Sequence, residues 1–209
     1  MMKIVNSTSL PANDTCDKPH RVSVVAYATG FTLIETLVAV AIIALAVAGP
    51  LSAVNSGLVA SYIARDQMTA SYLAQEGAEY LRAVRDDAYL AKYPDSQASE
   101  EGWGDFLTYI NPCLADDNPN KACTVDPSKN TPSEGLVTCV DSDCPVLYLK
   151  NNRYTTESTG GKLTLFTRTV QITTLSPTAT EVRVTSKVSW ETRGQPYSVT
   201  VSNHLTPWH

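Results

Sequence analysis

Residues 30–51 read GFTLIETLVAVAIIALAVAGPL, and this apolar run decides the fold. Within the longer stretch 22–64, Glu35 is the only charged residue. A helix needs about 20 predominantly apolar residues to cross a bilayer. The run extends from Phe31 to about Ala60 with few polar residues. We therefore expect one membrane-spanning helix near the N-terminus.

Glu35 stands inside this apolar segment. A carboxylate in the hydrocarbon costs roughly 2.5–3.5 kcal/mol on insertion scales, and such residues usually mark function. A local interpretation competes, because residues 32–35, TLIE, match the S/T-x-x-E capping box of a helix start. In that interpretation Glu35 only satisfies backbone donors near the membrane surface. The residues alone leave both interpretations open.

The charges before the helix indicate its orientation. Three basic residues precede the apolar run, Lys3, Lys18 and Arg21, with two aspartates among them. The positive-inside rule then places the short N-terminal side in the cytoplasm and the large C-terminal part outside. A secretory signal peptide cut near Ala48 is the alternative, but it leaves Glu35 unexplained.

Residues 30–35, GFTLIE, followed by the apolar run, resemble the prepilin signature of type IV pilins and type II secretion pseudopilins. That signature has glycine before the cut, phenylalanine after it, glutamate at the fifth mature position and then an apolar helix. The resemblance implies that prepilin peptidase cuts between Gly30 and Phe31 and methylates the new N-terminus at Phe31. It also implies that Glu35 pairs with the N-terminal amine of a neighbouring subunit. A buried carboxylate needs an opposite charge, so this pairing would fix the axial register.

Two further features resemble the same family. The Gly49-Pro50 pair lies at a depth where family helices often carry a proline. Pro50 would kink or locally melt the helix, although an ordinary, tolerated membrane proline is an equal alternative. Residues 70–85, ASYLAQEGAEYLRAVR, resemble the minor, PilV-like members. The resemblance implies a pilin-like α+β fold with a long N-terminal helix packed on a C-terminal antiparallel sheet.

The residues beyond Pro50 predict the same architecture. Alanine is frequent as far as Asp87, and no proline occurs between Pro50 and Pro94. Apolar side chains recur near helical spacing and indicate one buried face: Leu73, Tyr80, Leu81 and Val84. The helix is therefore predicted to continue to about Asp87.

The C-terminal end has the alternation that is typical of half-buried strands. Apolar and polar residues alternate over 182–190 and 197–205, and 163–173 is a third, less regular strand. Residues 191–196, which include Gly194, make a hairpin connection. Three antiparallel strands would bury one apolar face on the helix, which predicts an α+β fold.

These patterns predict five parts of the chain. They are a prepilin leader at 1–30, the transmembrane and assembly half of the helix at 31–60, the helix under the head at 61–88, a loop-rich variable region at 89–161, and the antiparallel sheet at 162–209.

The chain has five cysteines, an odd number for an exported protein. Cleavage after Gly30 would remove Cys16 and leave four, all in the loop-rich region. These four are Cys113, Cys123, Cys139 and Cys144. Outside the cell they should form disulfides, with nearest neighbours closing two small loops, although four cysteines allow three connectivities. A zinc site is the alternative, and the spacing does not favour it.

Other functional classes find little support in the sequence. No G-x-S-x-G, H-E-x-x-H or phosphate-binding glycine loop occurs, so we predict no enzyme and no cofactor. The net charge is −5 and no basic stripe is present, which argues against nucleic-acid binding. Acidic residues between 116 and 126 invite a calcium hypothesis, but no EF-hand pattern is present and no metal site is predicted.

The leading hypothesis is a structural subunit of a type IV pilus-like filament, with a minor pilin preferred. Its partners would be prepilin peptidase, other pilin subunits and, before assembly, the membrane. It would span the bacterial cytoplasmic membrane once, with its C-terminus outside, and then enter an extracellular pilus or a periplasmic pseudopilus. One alternative is a type II secretion pseudopilin. Another, of a different class, is a single-span receptor or enzyme with an extracytoplasmic head.

Overall fold

The first helix, α1, occupies Leu33–Leu90. The computed structural model of the protein describes residues 30–207 except 96, 130, 142, 176 and 177. Two units make up the chain, an N-terminal unit ending at Leu51 and a head that comprises Ser52–His209. Of the predicted leader, only Gly30 falls among the described residues, so its basic residues and Cys16 lie outside them.

Within the head, α1 buries one face. The buried positions recur at helical spacing: Asp66, Ala70, Leu73, Ala74, Gly77, Ala78, Leu81, Val84 and Ala88. The predicted buried face is confirmed, with Tyr80 partly buried at its border. Most of these residues are small, which lets the helix approach the sheet closely. A Cβ at Gly77 would lie 2.5 Å from the Ser186 hydroxyl, so glycine is needed at this crossing.

The sheet against which α1 packs has seven antiparallel strands among the described residues. They are β1 (Cys123–Val125), β2 (Leu136–Thr138), β3 (Val146–Lys150), β4 (Arg153–Thr155), β5 (Lys162–Thr174), β6 (Val182–Thr192) and β7 (Gln195–Leu205). β5 is central: β6 pairs along one edge, and β1 and β3 share the other edge. β7 lies outside β6. The predicted α+β architecture, a long N-terminal helix packed on a C-terminal antiparallel sheet, is confirmed.

The β6–β7 hairpin follows the predicted alternation. Val182, Val184, Val188 and Trp190 are buried. The turn has two residues, Arg193 and Gly194, with φ of 54° and 75°. Two positive φ values are typical of the primed turns whose twist matches that of the flanking strands. The turn therefore fixes a one-to-one register from Thr192↔Gln195 to Val182↔Leu205.

The region at 89–161 has more regular structure than its loop-rich sequence predicted. It holds α2 (Ala98–Ile110), a 3₁₀ turn (Asn111–Cys113), the short helix α3 (Pro132–Gly135) and strands β1 to β4. The sheet accordingly has four strands beyond the three predicted. Trp103 and Phe106 of α2 are buried in the core that α1 and the sheet share. Tertiary packing, rather than local helix preference, holds α2 in place.

Candidate functional site

The start of α1 is capped by Thr32. The Glu35 backbone N–H donates to Thr32 Oγ1 over 3.2 Å, which is half of a capping box. The Glu35 carboxylate has no hydrogen-bond partner or ion pair among the described residues, and Glu35 is exposed. An acidic side chain in the first turn is stabilised by the helix dipole. The Thr32 cap therefore forms without a reciprocal hydrogen bond from the Glu35 carboxylate, which stays available to another group.

Gly30 and Phe31 precede the helix and are exposed. A Cβ at Gly30 would meet no atom within 4 Å, and Gly30 is not among the positive-φ glycines. The chain itself therefore places no steric demand for glycine at this position. Phe31 is 80% exposed although it is a large apolar residue. The segment is thus an accessible peptide next to a helix start.

The apolar residues that follow are uncovered. Large hydrophobic side chains from Phe31 to Leu58 are exposed, among them Leu33, Ile34, Leu37, Val40, Ile42, Ile43, Leu45, Leu51 and Val54. α1 contains an 18-residue window with a mean hydropathy of 2.5, none of it buried, which is long and apolar enough to cross a membrane. Burial of apolar surface is worth about 25 cal/mol per Å². Such a surface calls for a lipid or protein environment.

Pro50 lies inside α1, with Gly49 before it. Proline has no backbone N–H, so the carbonyl of Ala46, four residues earlier, loses its helical donor. A Cβ at Gly49 would meet nothing within 4 Å. The structure keeps both residues within the helix, and a kink at Pro50 remains a prediction.

Residues 26–49 match the model of the prokaryotic N-terminal methylation motif. This motif marks type IV pilin-like and pseudopilin-like prepilins, and the long apolar helix that follows it fits such a protein. The match covers the predicted cleavage position, Glu35 and the first turns of α1. No curated protein and no solved structure matches the chain.

The motif also indicates how such a protein is processed and to which functional class it belongs. It implies a precursor that prepilin peptidase processes and a pilin-type mode of assembly. The family is structural and is not an enzyme family. Together with the apolar helix, the motif fits a membrane-anchored protein.

In the head of the prepilin the four described cysteines form two disulfides. Cys113 pairs with Cys123, with Cα atoms 5.4 Å apart, and ties the 3₁₀ turn to β1. Cys139 pairs with Cys144, with Cα atoms 4.6 Å apart. Of the three connectivities left open by the sequence, the structure has the nearest-neighbour one. A disulfide-linked head is typical of proteins that fold in an oxidising compartment.

The residues considered for calcium do not form one cluster. Asp116 is exposed and accepts hydrogen bonds from the backbone N–H and the hydroxyl of Thr174. Asp126 is fully buried and accepts hydrogen bonds from Ser128, Thr155 and Thr156. Across the described part of the chain, no group of three or more His, Cys, Asp or Glu residues is placed to hold a metal ion.

Burial would raise the pKa of Asp126, but its hydrogen bonds outweigh that effect and lower the pKa to about 2. The bonds come from Ser128, Thr155 and Thr156, which lie on both sides of the carboxylate. Asp126 therefore joins the loop after β1 to β4 and the residue beyond it. In the sequence Asp126 belongs to an acidic loop, and its partners Thr155 and Thr156 reveal its structural role.

Arg168 on β5 is a second buried charge that sequence analysis missed. Its guanidinium donates to the carbonyls of Leu73 and Val125 and to Glu76 Oε2, the last over 2.7 Å. Burial lowers the pKa of Arg168, and the charge of Glu76 opposes that shift. One signal was present, because Arg168 falls in phase with the apolar residues Phe166 and Val170. Arg168 links α1, β1 and β5.

Proposed function

We propose that this prepilin is a minor subunit of a type IV pilus-like filament. Peptidase would cut between Gly30 and Phe31, methylate Phe31, and release a subunit that polymerises through the N-terminal part of α1. The observation that carries the proposal is the methylation motif at residues 26–49, together with the apolar surface of an 18-residue window of α1, none of which is buried. Lipid covers that surface before assembly, and neighbouring subunits cover it in the filament.

The cut supplies the partner that Glu35 lacks. It creates an amine at Phe31, and α-amines have a pKa near 8, so the new terminus is charged at neutral pH. The exposed carboxylate of Glu35 has no partner among the described residues. In an apolar bundle an unpaired carboxylate is costly, and the amine of a neighbouring subunit neutralises it. Only one axial register then satisfies every subunit.

The head supports an orientation with the C-terminus outside. Two disulfides, Cys113–Cys123 and Cys139–Cys144, need an oxidising compartment. The bacterial cytoplasmic membrane would hold the single span until assembly, with the head on its outer side.

The size of the head supports a minor pilin over a repeating shaft subunit. α2 and the disulfide-bonded region add surface beside the sheet, where a specialised subunit carries its particular contacts. The same cut and the same membrane span would serve a pseudopilin of a type II secretion system. Purified filaments of each type, probed for this subunit, separate the two roles.

The test uses the full chain expressed with its prepilin peptidase and its filament system. Intact mass and N-terminal sequencing should find a mature product that starts at methylated Phe31. Glu35→Val should still be inserted and cut, but should be absent from sheared filaments. Thr36→Val is the matched control, because it removes a neighbouring polar side chain from the same exposed turn and leaves the carboxylate. Its incorporation should equal that of the wild type.

Two outcomes would contradict the proposal. An uncut chain, in cells whose peptidase processes a control substrate, would show that this protein does not follow the prepilin pathway. Normal incorporation of Glu35→Val would contradict the proposed role of Glu35 in setting the axial register, but it would not contradict the proposed cleavage.

A further inference from the structure

A cavity of about 400 Å³ lies beside the β3–β4 hairpin of the head. Its lining residues are all polar or charged: Ser128, Lys150, Asn151, Arg153, Thr155 and Glu157. The volume falls within the range of small-molecule sites, about 300–1,000 Å³, but such sites are usually lined by apolar side chains. An apolar ligand would find few partners here. A ligand of this cavity must therefore form hydrogen bonds over most of its surface.

The hairpin turn brings two cations together at the cavity. Asn151 and Asn152 have φ of 50° and 60°, as a two-residue type I′ turn requires, and asparagine tolerates such values. The turn makes Lys150 and Arg153 cross-strand partners. Like charges directly opposite each other on two strands are destabilising. The hairpin therefore holds an unfavourable pair of charges in the lining of the cavity.

Only one of these two cations has a counter-ion among the described residues. Lys150 Nζ lies 2.8 Å from Glu157 Oε2, and this hydrogen bond lowers the pKa of Glu157, as does the charge of Lys129. Arg153 is exposed and has no hydrogen bond or ion pair in the described part of the chain. Three cations thus accompany two carboxylates, Glu157 and the buried Asp126. The site keeps one positive charge in a chain whose net charge is −5.

The remaining lining groups favour a ligand that has hydroxyl groups. Asp126 is ionised at neutral pH, since its pKa is about 2, and it accepts hydrogen bonds from the hydroxyls of Ser128 and Thr155. Ser128 Oγ has therefore used its proton and can only accept from a ligand. Glu157 Oε1 has no partner among the described residues and is a second acceptor. The Asn151 amide can both donate and accept. Such a mixture matches hydroxyl groups, because each of them also donates and accepts.

We propose that this cavity binds a sugar unit that carries a carboxylate group. The planar Arg153 guanidinium donates two hydrogen bonds to that carboxylate, a geometry that arginine and carboxylates share. The sugar hydroxyls donate to Ser128 Oγ and Glu157 Oε1 and accept from the Asn151 amide. One negative charge on the ligand neutralises the unpaired cation, whereas a phosphate dianion exceeds it and is repelled by the carboxylate of Glu157. The site goes beyond the filament role and does not depend on Glu35.

The first test is isothermal titration calorimetry of the full chain in detergent micelles, at neutral pH and constant ionic strength. The probes are glucuronate, glucose, acetate and inorganic phosphate. Glucuronate should bind saturably, with the millimolar dissociation constant expected for a ligand of this size. It should bind at least about 10-fold more tightly than each of the other three probes.

Three results would overturn the proposal. Acetate or phosphate binding as tightly as glucuronate would show a simple anion site. Glucose binding as tightly would show that the charge of Arg153 plays no part. Glucuronate that does not bind saturably would show that the cavity is not a site for this ligand class.

The second test removes the cation. Arg153→Gln should weaken glucuronate binding by about 10-fold or more, because it removes charge-assisted hydrogen bonds. Arg193→Gln is the matched control, since Arg193 is an exposed arginine in the β6–β7 turn and does not line the cavity. It should bind as the wild type does. Equal losses in the two variants would show that net charge, rather than the cavity, attracts the ligand.

The third test uses the two asparagines of the hairpin turn. Asn151→Gly should weaken glucuronate binding by about 3- to 10-fold, and glycine keeps the turn because it adopts a positive φ freely. Asn152→Gly makes the same change at the adjacent position, which does not line the cavity, and should leave binding unchanged. Equal affinities in these two variants would contradict the placement of the ligand. Glu35→Val should bind glucuronate normally, so failure of the filament proposal and failure of this one can be told apart.

Discussion

Replacing Asp126 with asparagine should lower the free energy of unfolding at neutral pH, and the loss should shrink in acid. The carboxylate is fully buried and accepts hydrogen bonds at both oxygens. Oδ1 accepts from the Ser128 backbone N–H, and Oδ2 accepts from the Thr156 backbone N–H. In either orientation the amide group of asparagine would point an N–H at one of these backbone donors.

The magnitude follows from the pKa of Asp126. Its ordinary value is 3.8, and the folded protein lowers it to about 2. At about 1.4 kcal/mol per unit, this difference is worth roughly 2 kcal/mol at pH 7. Because the folded pKa lies below the unfolded one, the contribution is present above the unfolded pKa and is lost as the pH falls through the folded pKa. By about pH 3, roughly 1 kcal/mol should already be lost.

The assay is denaturant unfolding of the full mature chain in detergent micelles, followed by tryptophan fluorescence. Trp103 and Trp190 are buried in the head and report its unfolding. The gap between wild type and Asp126→Asn should be roughly 2 kcal/mol or more at pH 7, since the unpaired amide adds its own cost. Asp117→Asn, an exposed change of the same charge, should leave the midpoint nearly unchanged at both pH values.

A gap of the same size at pH 7 and pH 3 would refute the titration of Asp126 as the source of the difference. A gap of the same size for Asp117→Asn would show that net charge, rather than the buried network, sets the stability. A changed denaturant slope would instead indicate altered compactness of one state.

Two further changes test the packing of the head. Gly77→Ala should destabilise the protein by about 1–3 kcal/mol, because its Cβ would lie 2.5 Å from the Ser186 hydroxyl. Gly57→Ala, where a Cβ meets nothing within 4 Å, should be neutral or stabilising, and equal effects in denaturant unfolding would contradict the close helix–sheet approach. Replacing both Cys113 and Cys123 with alanine should cost about 2–4 kcal/mol, and an unchanged midpoint under oxidising conditions would show that the disulfide contributes no stability.

The β6–β7 hairpin could be predicted from the sequence because its pattern is local. One face of the hairpin packs on α1 and the other is solvated, so apolar and polar residues alternate at each step. Gly194 adopts a positive φ in the turn. Because glycine is the residue that most readily adopts such a φ, its presence in the sequence indicates the connection. No distant contact is needed to recognise such an element.

α2 could not be predicted in this way. Residues 98–110, ASEEGWGDFLTYI, contain Gly102 and Gly104, which weaken a helix locally. Gly102 is explained by packing, since a Cβ there would lie 2.8 Å from the Tyr89 Cα. Gly102, which made the segment resemble a loop, is the residue that lets α2 contact α1. Glycine is needed there because of Tyr89 in α1, which lies outside the segment.

The buried charges were missed for the same cause. Arg168 is stabilised by groups on α1 and β1. Asp126 is stabilised by the nearby Ser128 and also by Thr155 and Thr156, which are distant in the sequence. A charged residue in an apolar strand pattern indicates that a partner exists, but the pattern does not identify that partner. The partners can be found only once the strands are in register.

The start of α1 shows the opposite relation between sequence and structure. Gly30, Phe31 and Glu35 lie within six residues, are exposed and make no contact that the rest of the fold must supply. Their proposed chemistry is therefore readable from the sequence, because the groups proposed to act on them belong to other molecules.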